Sequence, residues 1–110
     1  MDNWIKGYNE VADGVHETAV EKGWWNKERN DAEALMLMVT ELAEACEAMR
    51  HGNPPDDKIP QFSGVEAELA DTIIRIMDFG KGRNYDIAGA LVAKVEYNKL
   101  REKMHGGKKF

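Results

Sequence analysis

The chain has 110 residues, 43% hydrophobic and 32% charged, and a formal net charge of −5. This is the make-up of one soluble globular domain spanning residues 1–110, and its acidic balance excludes a broad basic surface for nucleic acid. The single cysteine, Cys46, excludes an internal disulfide and a cysteine-rich zinc site, and its apolar context predicts a buried small hydrophobe.

The first helix is predicted from Trp4 to about Lys22, where Ile5, Tyr8, Val11/Ala12, Val15 and Ala19 recur every three to four residues. Gly23 is its C-cap, and Trp24-Trp25-Asn26 open the connection. Asn30 or Asp31 caps a second helix, running through Leu35, Met38, Leu42, Cys46 and Met49 to about Arg50. Residues 51–62 hold Gly52, Pro54, Pro55 and Pro60 and must form a loop. Ser63-Gly64-Val65-Glu66 has the form of a capping box, so a third helix starts there and continues to about Phe79, with Gly80-Lys81-Gly82 as its stop. Asp86 caps a fourth helix through Ile87, Leu91 and Val95 to roughly Met104, followed by a tail expected to be mobile from about residue 105. No strand-like alternation appears. The fold class is all-α, a four-helix bundle.

No apolar run approaches the ~20 residues that cross a bilayer. Met1-Asp2-Asn3-Trp4 lacks the basic start and apolar core of a signal peptide, so a cytoplasmic protein without a membrane partner is expected.

Two acidic pairs stand out: Glu41 with Glu44, and Glu68 with Asp71. Each is spaced i, i+3, which on a helix sets its carboxylates about 60° apart on one face. Both pairs lie in otherwise apolar stretches. Carboxylates converging between packed helices repel and raise one another's pKa unless a cation neutralises them. Hard oxygen ligands on facing helices suit Mg²⁺, with Mn²⁺ as a substitute. A lone pair of this kind is ordinarily a solvated helix edge; two on consecutive helices favour the metal.

On the fourth helix Lys94, Asn98, Arg101 and His105 form one polar stripe, either a solvated face or a grip for phosphate oxygens. His16 and Trp25 could stack on and hydrogen-bond a nucleobase, or pack in the core. Trp4 and Trp24 read as core or interface residues.

Together these residues resemble the MazG-like family of all-α nucleoside triphosphate pyrophosphohydrolases. That family carries E-x-x-E, a spacer, then E-x-x-D; here Glu41 and Glu44 are followed by 23 residues and then Glu68 and Asp71. The similarity extends to a downstream K-x-x-x-N-x-x-R, here Lys94, Asn98 and Arg101, and to the His105-Gly106-Gly107-Lys108 ending of some small members. It implies Mg²⁺-dependent conversion of a (d)NTP to the monophosphate and pyrophosphate, in the service of nucleotide-pool house-cleaning. By the same resemblance Glu41, Glu44, Glu68 and Asp71 correspond to the metal ligands, Glu41 or Glu44 orients or deprotonates the attacking water, and Lys94, Asn98 and Arg101 contact phosphates. His16 and Trp25 keep the spacing of a histidine and tryptophan that line the base pocket of the related deoxycytidine triphosphatases. The family also implies a homodimer or dimer of dimers. Two positions depart from the pattern. Arg75 stands where those relatives have a tyrosine and could add a phosphate contact, and Thr40 stands where many members have a further acid. The alternatives are a non-catalytic nucleotide- or metal-binding helical module and a purely structural interaction domain. A di-iron bundle fits less well, because neither motif contains Glu-x-x-His.

Overall fold

The computed structural model describes residues 2–101, which are all-helical. Its four helices are α1 (Asp2–Glu21), α2 (Asp31–Arg50), α3 (Gly64–Gly82) and α4 (Ile87–Leu100). No strand occurs among the described residues; one backbone bridge joins Pro55 to Ser63 across the α2–α3 loop.

The helix ends follow local chemistry. Gly23 takes a left-handed φ of +86°, its N–H bonds Val20 O, and the Trp24 N–H bonds Ala19 O. That pair of bonds is a Schellman motif, which the missing Cβ of glycine permits. Asn30 Oδ1 accepts the Glu33 N–H at 3.0 Å and starts α2. Ser63 and Glu66 exchange both bonds of the capping box at α3, and Asp86 accepts the Gly89 N–H at 2.8 Å to start α4.

Two helix ends differ from expectation. Gly80 and Gly82 do not stop α3, which runs through both to Arg83. They serve close approach instead. A Cβ on Gly80 would collide with Ile87, and one on Gly82 with the Trp25 ring. The α4 end also comes earlier than Met104, because Arg101 is already extended. The last turn of α4 has little to pack against, Leu100 being 85% exposed, and a helix end without tertiary contact is marginal. The residues after Arg101, with His105 and the glycine–lysine ending, lie outside the described residues.

Helix α3 packs against both α1 and α2, while α4 meets α1. The buried apolar residues are small apart from Met77: Ala12, Ala19, Ala34, Ala45, Ala67 and Ala88. The expected stripe of α2 is turned outward. Leu35, Leu42 and Met49 are exposed, as is Cys46, and the helix face that enters the core carries Ala34, Glu41 and Ala45. Periodicity marks an apolar stripe without saying which side of the helix has a neighbour, and here the short side chains let α2 and α3 approach. Trp24 is likewise half-exposed rather than core. The Cα radius of gyration is 16.5 Å, against about 13 Å for a compact chain of about 100 residues.

Candidate functional site

Three of the four acids, Glu41 and Glu44 of α2 and Glu68 of α3, meet at the α2–α3 contact. Glu41, Glu44 and Glu68 each bring one carboxylate oxygen within 4.8 Å of the others. Glu41 is 9% exposed, Glu44 is open to solvent, and Glu68 lies between these extremes. The Glu68 carboxyl is pushed up to about 8, first by its hydrogen bond with the Glu44 carboxyl, then by burial and by Glu41. A carboxyl–carboxyl contact of this kind is favourable only with a shared proton or a cation between the groups. Glu68 Oε2 is buried and has no hydrogen-bond partner among the described residues. Hard oxygens at this separation, one of them orphaned, fit a divalent ion such as Mg²⁺ or Mn²⁺.

Asp71 stands apart from that trio. It is exposed and lines a cleft of about 520 Å³ with Asp56, Asp57, Lys58, Glu68 and Ile74. Its carboxyl is raised by partial burial and then by the charge of Glu41, with Arg75 pulling the other way. The cleft is within the size range of small-molecule sites. Its loop wall is held by Asp56, whose Oδ2 accepts the N–H groups of Lys58 and Ile59 at 2.9 and 3.0 Å. Asp56, Asp57 and Lys58 follow the Pro54-Pro55 pair and read in the sequence as an ordinary polar loop, so their place beside Glu68 and Asp71 had no sequence signal.

Arg75, one turn beyond Asp71, donates through Nε to Glu41 Oε1 at 3.0 Å. Its Cζ lies 5.8 Å from the centre of the Trp24 ring. The buried member of the acidic trio thus has an arginine as its partner.

His16 and Trp25 also come together, edge to face with ring centres 5.2 Å apart. Both turn polar atoms to Asp78, an acid of α3 that is 2% exposed. His16 Nδ1 lies 2.8 Å from Asp78 Oδ1, Trp25 Nε1 donates to the same oxygen at 2.9 Å, and Arg29 Nη1 donates to Oδ2 at 3.3 Å. The guanidinium groups of Arg29 and Arg83 lie 4.7 and 5.4 Å from the Trp25 ring centre. Arg83 in turn reaches Asp31 and the Arg29 carbonyl. This network satisfies a buried carboxylate and ties the α1–α2 connection to α3. The one sequence clue to Asp78 was an acid seven residues beyond Asp71 in an apolar run.

Lys94 and Asn98 are exposed on α4 and Arg101 is exposed just past its end; α4 packs against α1, whereas Glu41, Glu44 and Glu68 meet between α2 and α3. Lys94 and Arg101 share the Tyr97 ring, at 5.4 and 5.8 Å from its centre. Comparisons of the chain with protein-family models, with curated proteins and with solved structures found no match.

Proposed function

We propose that the chain is a metal-dependent nucleoside triphosphate pyrophosphohydrolase of the MazG-like type, converting a (d)NTP to the monophosphate and pyrophosphate. The observation that carries this reading is the meeting of Glu41, Glu44 and Glu68 at the α2–α3 contact, with a buried, unpartnered oxygen on Glu68, beside the cleft that holds Asp71. Glu41, Glu44, Glu68 and Asp71 would hold Mg²⁺, or Mn²⁺ in its place, which when bound supplies charge neutralisation for the triphosphate and a water of lowered pKa.

The protein groups divide the remaining work by exposure and charge. Glu44 is the solvent-facing member of the trio and is suited to take the proton of the water that attacks the α-phosphorus. Attack there forms a P–O bond to water and breaks the bond to the bridging oxygen, so pyrophosphate leaves. Lys58 lines the cleft and offers a cation to the phosphate chain. Lys94, Asn98 and Arg101 reach a phosphate chain most readily from a second copy, because within one chain α4 meets α1. A homodimer or dimer of dimers is also supported by the exposed apolar residues Leu35, Val39, Leu42, Leu91 and Val95. His16 and Trp25 act on the base side mainly by positioning the α1–α2 connection.

The test is a panel of standard and modified nucleoside triphosphates with Mg²⁺, scored for monophosphate and pyrophosphate. Turnover is expected to fall by about 100-fold or more in Glu44→Gln, and also in Asp71→Asn. If no nucleotide turns over but Mg²⁺-dependent nucleotide binding persists, the chain is a non-catalytic binding module. Thr40, standing where many MazG-like proteins carry a further acid, favours that second reading.

A further inference from the structure

We infer that Arg75 is an exchangeable cation: it neutralises Glu41 while the carboxylates are free of metal, and is released to grip the substrate's phosphates once they are loaded. This deepens the proposed function and rests on it. Three observations carry it. Glu41 is the buried acid of the trio, so its charge needs a partner at all times, and Arg75 Nε supplies one at 3.0 Å. Glu41 is also within ligand distance of Glu44 and Glu68, so a divalent ion held there would share a carboxylate with the guanidinium. Like charges sharing one buried acid repel strongly, and the tethered arginine is the one able to leave.

Arg75 also has somewhere to go. Its side chain is 26% exposed and already leans on the half-exposed face of Trp24, and it follows one helical turn after Asp71 and directly after Ile74, both of which line the cleft. A guanidinium freed there presents a planar fork of donors suited to phosphate oxygens. Metal binding and phosphate binding are thereby coupled through one side chain, and the coupling is reciprocal.

The experiment measures Mn²⁺ binding by calorimetry in the wild type, Arg75→Gln and Arg75→Lys. Binding of inorganic tripolyphosphate is then measured at saturating Mg²⁺, a probe that does not depend on the base. Removing the competitor should tighten Mn²⁺ binding in Arg75→Gln by roughly tenfold, while tripolyphosphate binds roughly tenfold more weakly. Arg75→Lys, which keeps a positive charge without the fork, should hold Mn²⁺ near the wild-type affinity yet still weaken tripolyphosphate. It also serves if Arg75→Gln does not fold. Opposite signs for the two ligands are not produced by a merely structural arginine. Mn²⁺ binding that is unchanged or weaker in Arg75→Gln overturns the inference while leaving the metal site standing. A wild type that binds no Mn²⁺ overturns the metal reading as well.

Discussion

Gly82 of α3 lies where the indole of Trp25 leaves no room for a side chain: a Cβ built there would collide with the six-membered ring. The indole that packs on this last residue of α3 donates its Nε1 N–H to Asp78, and the missing side chain of Gly82 is what permits the close approach. Gly82→Ala must push the ring away and is expected to destabilise the fold by about 1–3 kcal/mol. Gly7→Ala is the control, because nothing lies within 4 Å of its Cβ position. It should stabilise α1 by about 0.5–1 kcal/mol. Denaturant midpoints of the two variants should move in opposite directions; equal shifts would refute the packing role of Gly82.

The Asp78 network predicts an asymmetry between two acids that both link α1 to α3. Asp78 is enclosed by His16, Trp25 and Arg29, whereas Asp13 meets Lys81 at 3.0 Å with its own side chain 61% exposed. Asp78→Ala leaves three part-buried donors without their shared acceptor and should cost about 2–3 kcal/mol. Asp13→Ala removes a solvated pair and should cost under about 1 kcal/mol. Thermal unfolding of both variants, followed by tryptophan emission, checks this. An Asp78→Ala protein as stable as the wild type would show that the network is dispensable.

How much of this was legible beforehand depends on the range of the interaction. The caps at Gly23, Asn30, Ser63–Glu66 and Asp86 are contacts over three or four residues, and the chain writes them locally. Gly80 and Gly82 carry the same local sign as a helix stop, and only Ile87 and Trp25, arriving from elsewhere, turn them into packing positions. The acidic spacing foretold that Glu41 and Glu44 share a face. It could not say that Glu41 goes inward while Glu44 stays open to solvent and Leu35 and Leu42 go outward, since that depends on where α3 lies. Asp78 and Arg75 were missed or half-seen for the same reason: each is one charged residue in an apolar run, given meaning by a partner more than thirty residues away.

Glu68 predicts a pH dependence with a definite sign. Its carboxyl is pushed up to about 8 in the folded chain from an ordinary 4.5. The folded state therefore keeps a proton that the unfolded chain releases, and stability falls as pH rises through that interval. The contribution is complete below pH 4.5 and lost as pH passes about 8. Asp71, also raised, acts in the same direction. Without added metal, the melting temperature of the wild type should drop between pH 5 and 8.5 relative to that of Glu68→Gln. Added Mg²⁺ should raise the wild-type melting temperature at pH 8 more than at pH 5, where the proton competes with it. Parallel pH profiles for wild type and Glu68→Gln would refute the assignment.

The outward stripe of α2 gives the last prediction. Leu35, Val39, Leu42 and Met49 are exposed along one helix, and Leu91 and Val95 along another. Isolated surface apolar residues need no explanation, but aligned ones on neighbouring turns mark a face that another surface covers. A second copy of the chain is the occupant the proposed function calls for, since within one chain α4, which carries Lys94, packs against α1 and not beside the carboxylates. Sedimentation should accordingly give a mass of at least twice the 12.4 kDa chain. Leu42→Glu sits on the open side of α2, so it should dissociate the assembly while leaving the helical circular dichroism of the chain intact. It should also abolish turnover, although the Glu41, Glu44 and Glu68 of each chain remain together. A monomeric wild type with full activity would separate the site from the stripe and leave the carboxylates, Lys58 and Arg75 of one chain to carry the phosphates alone.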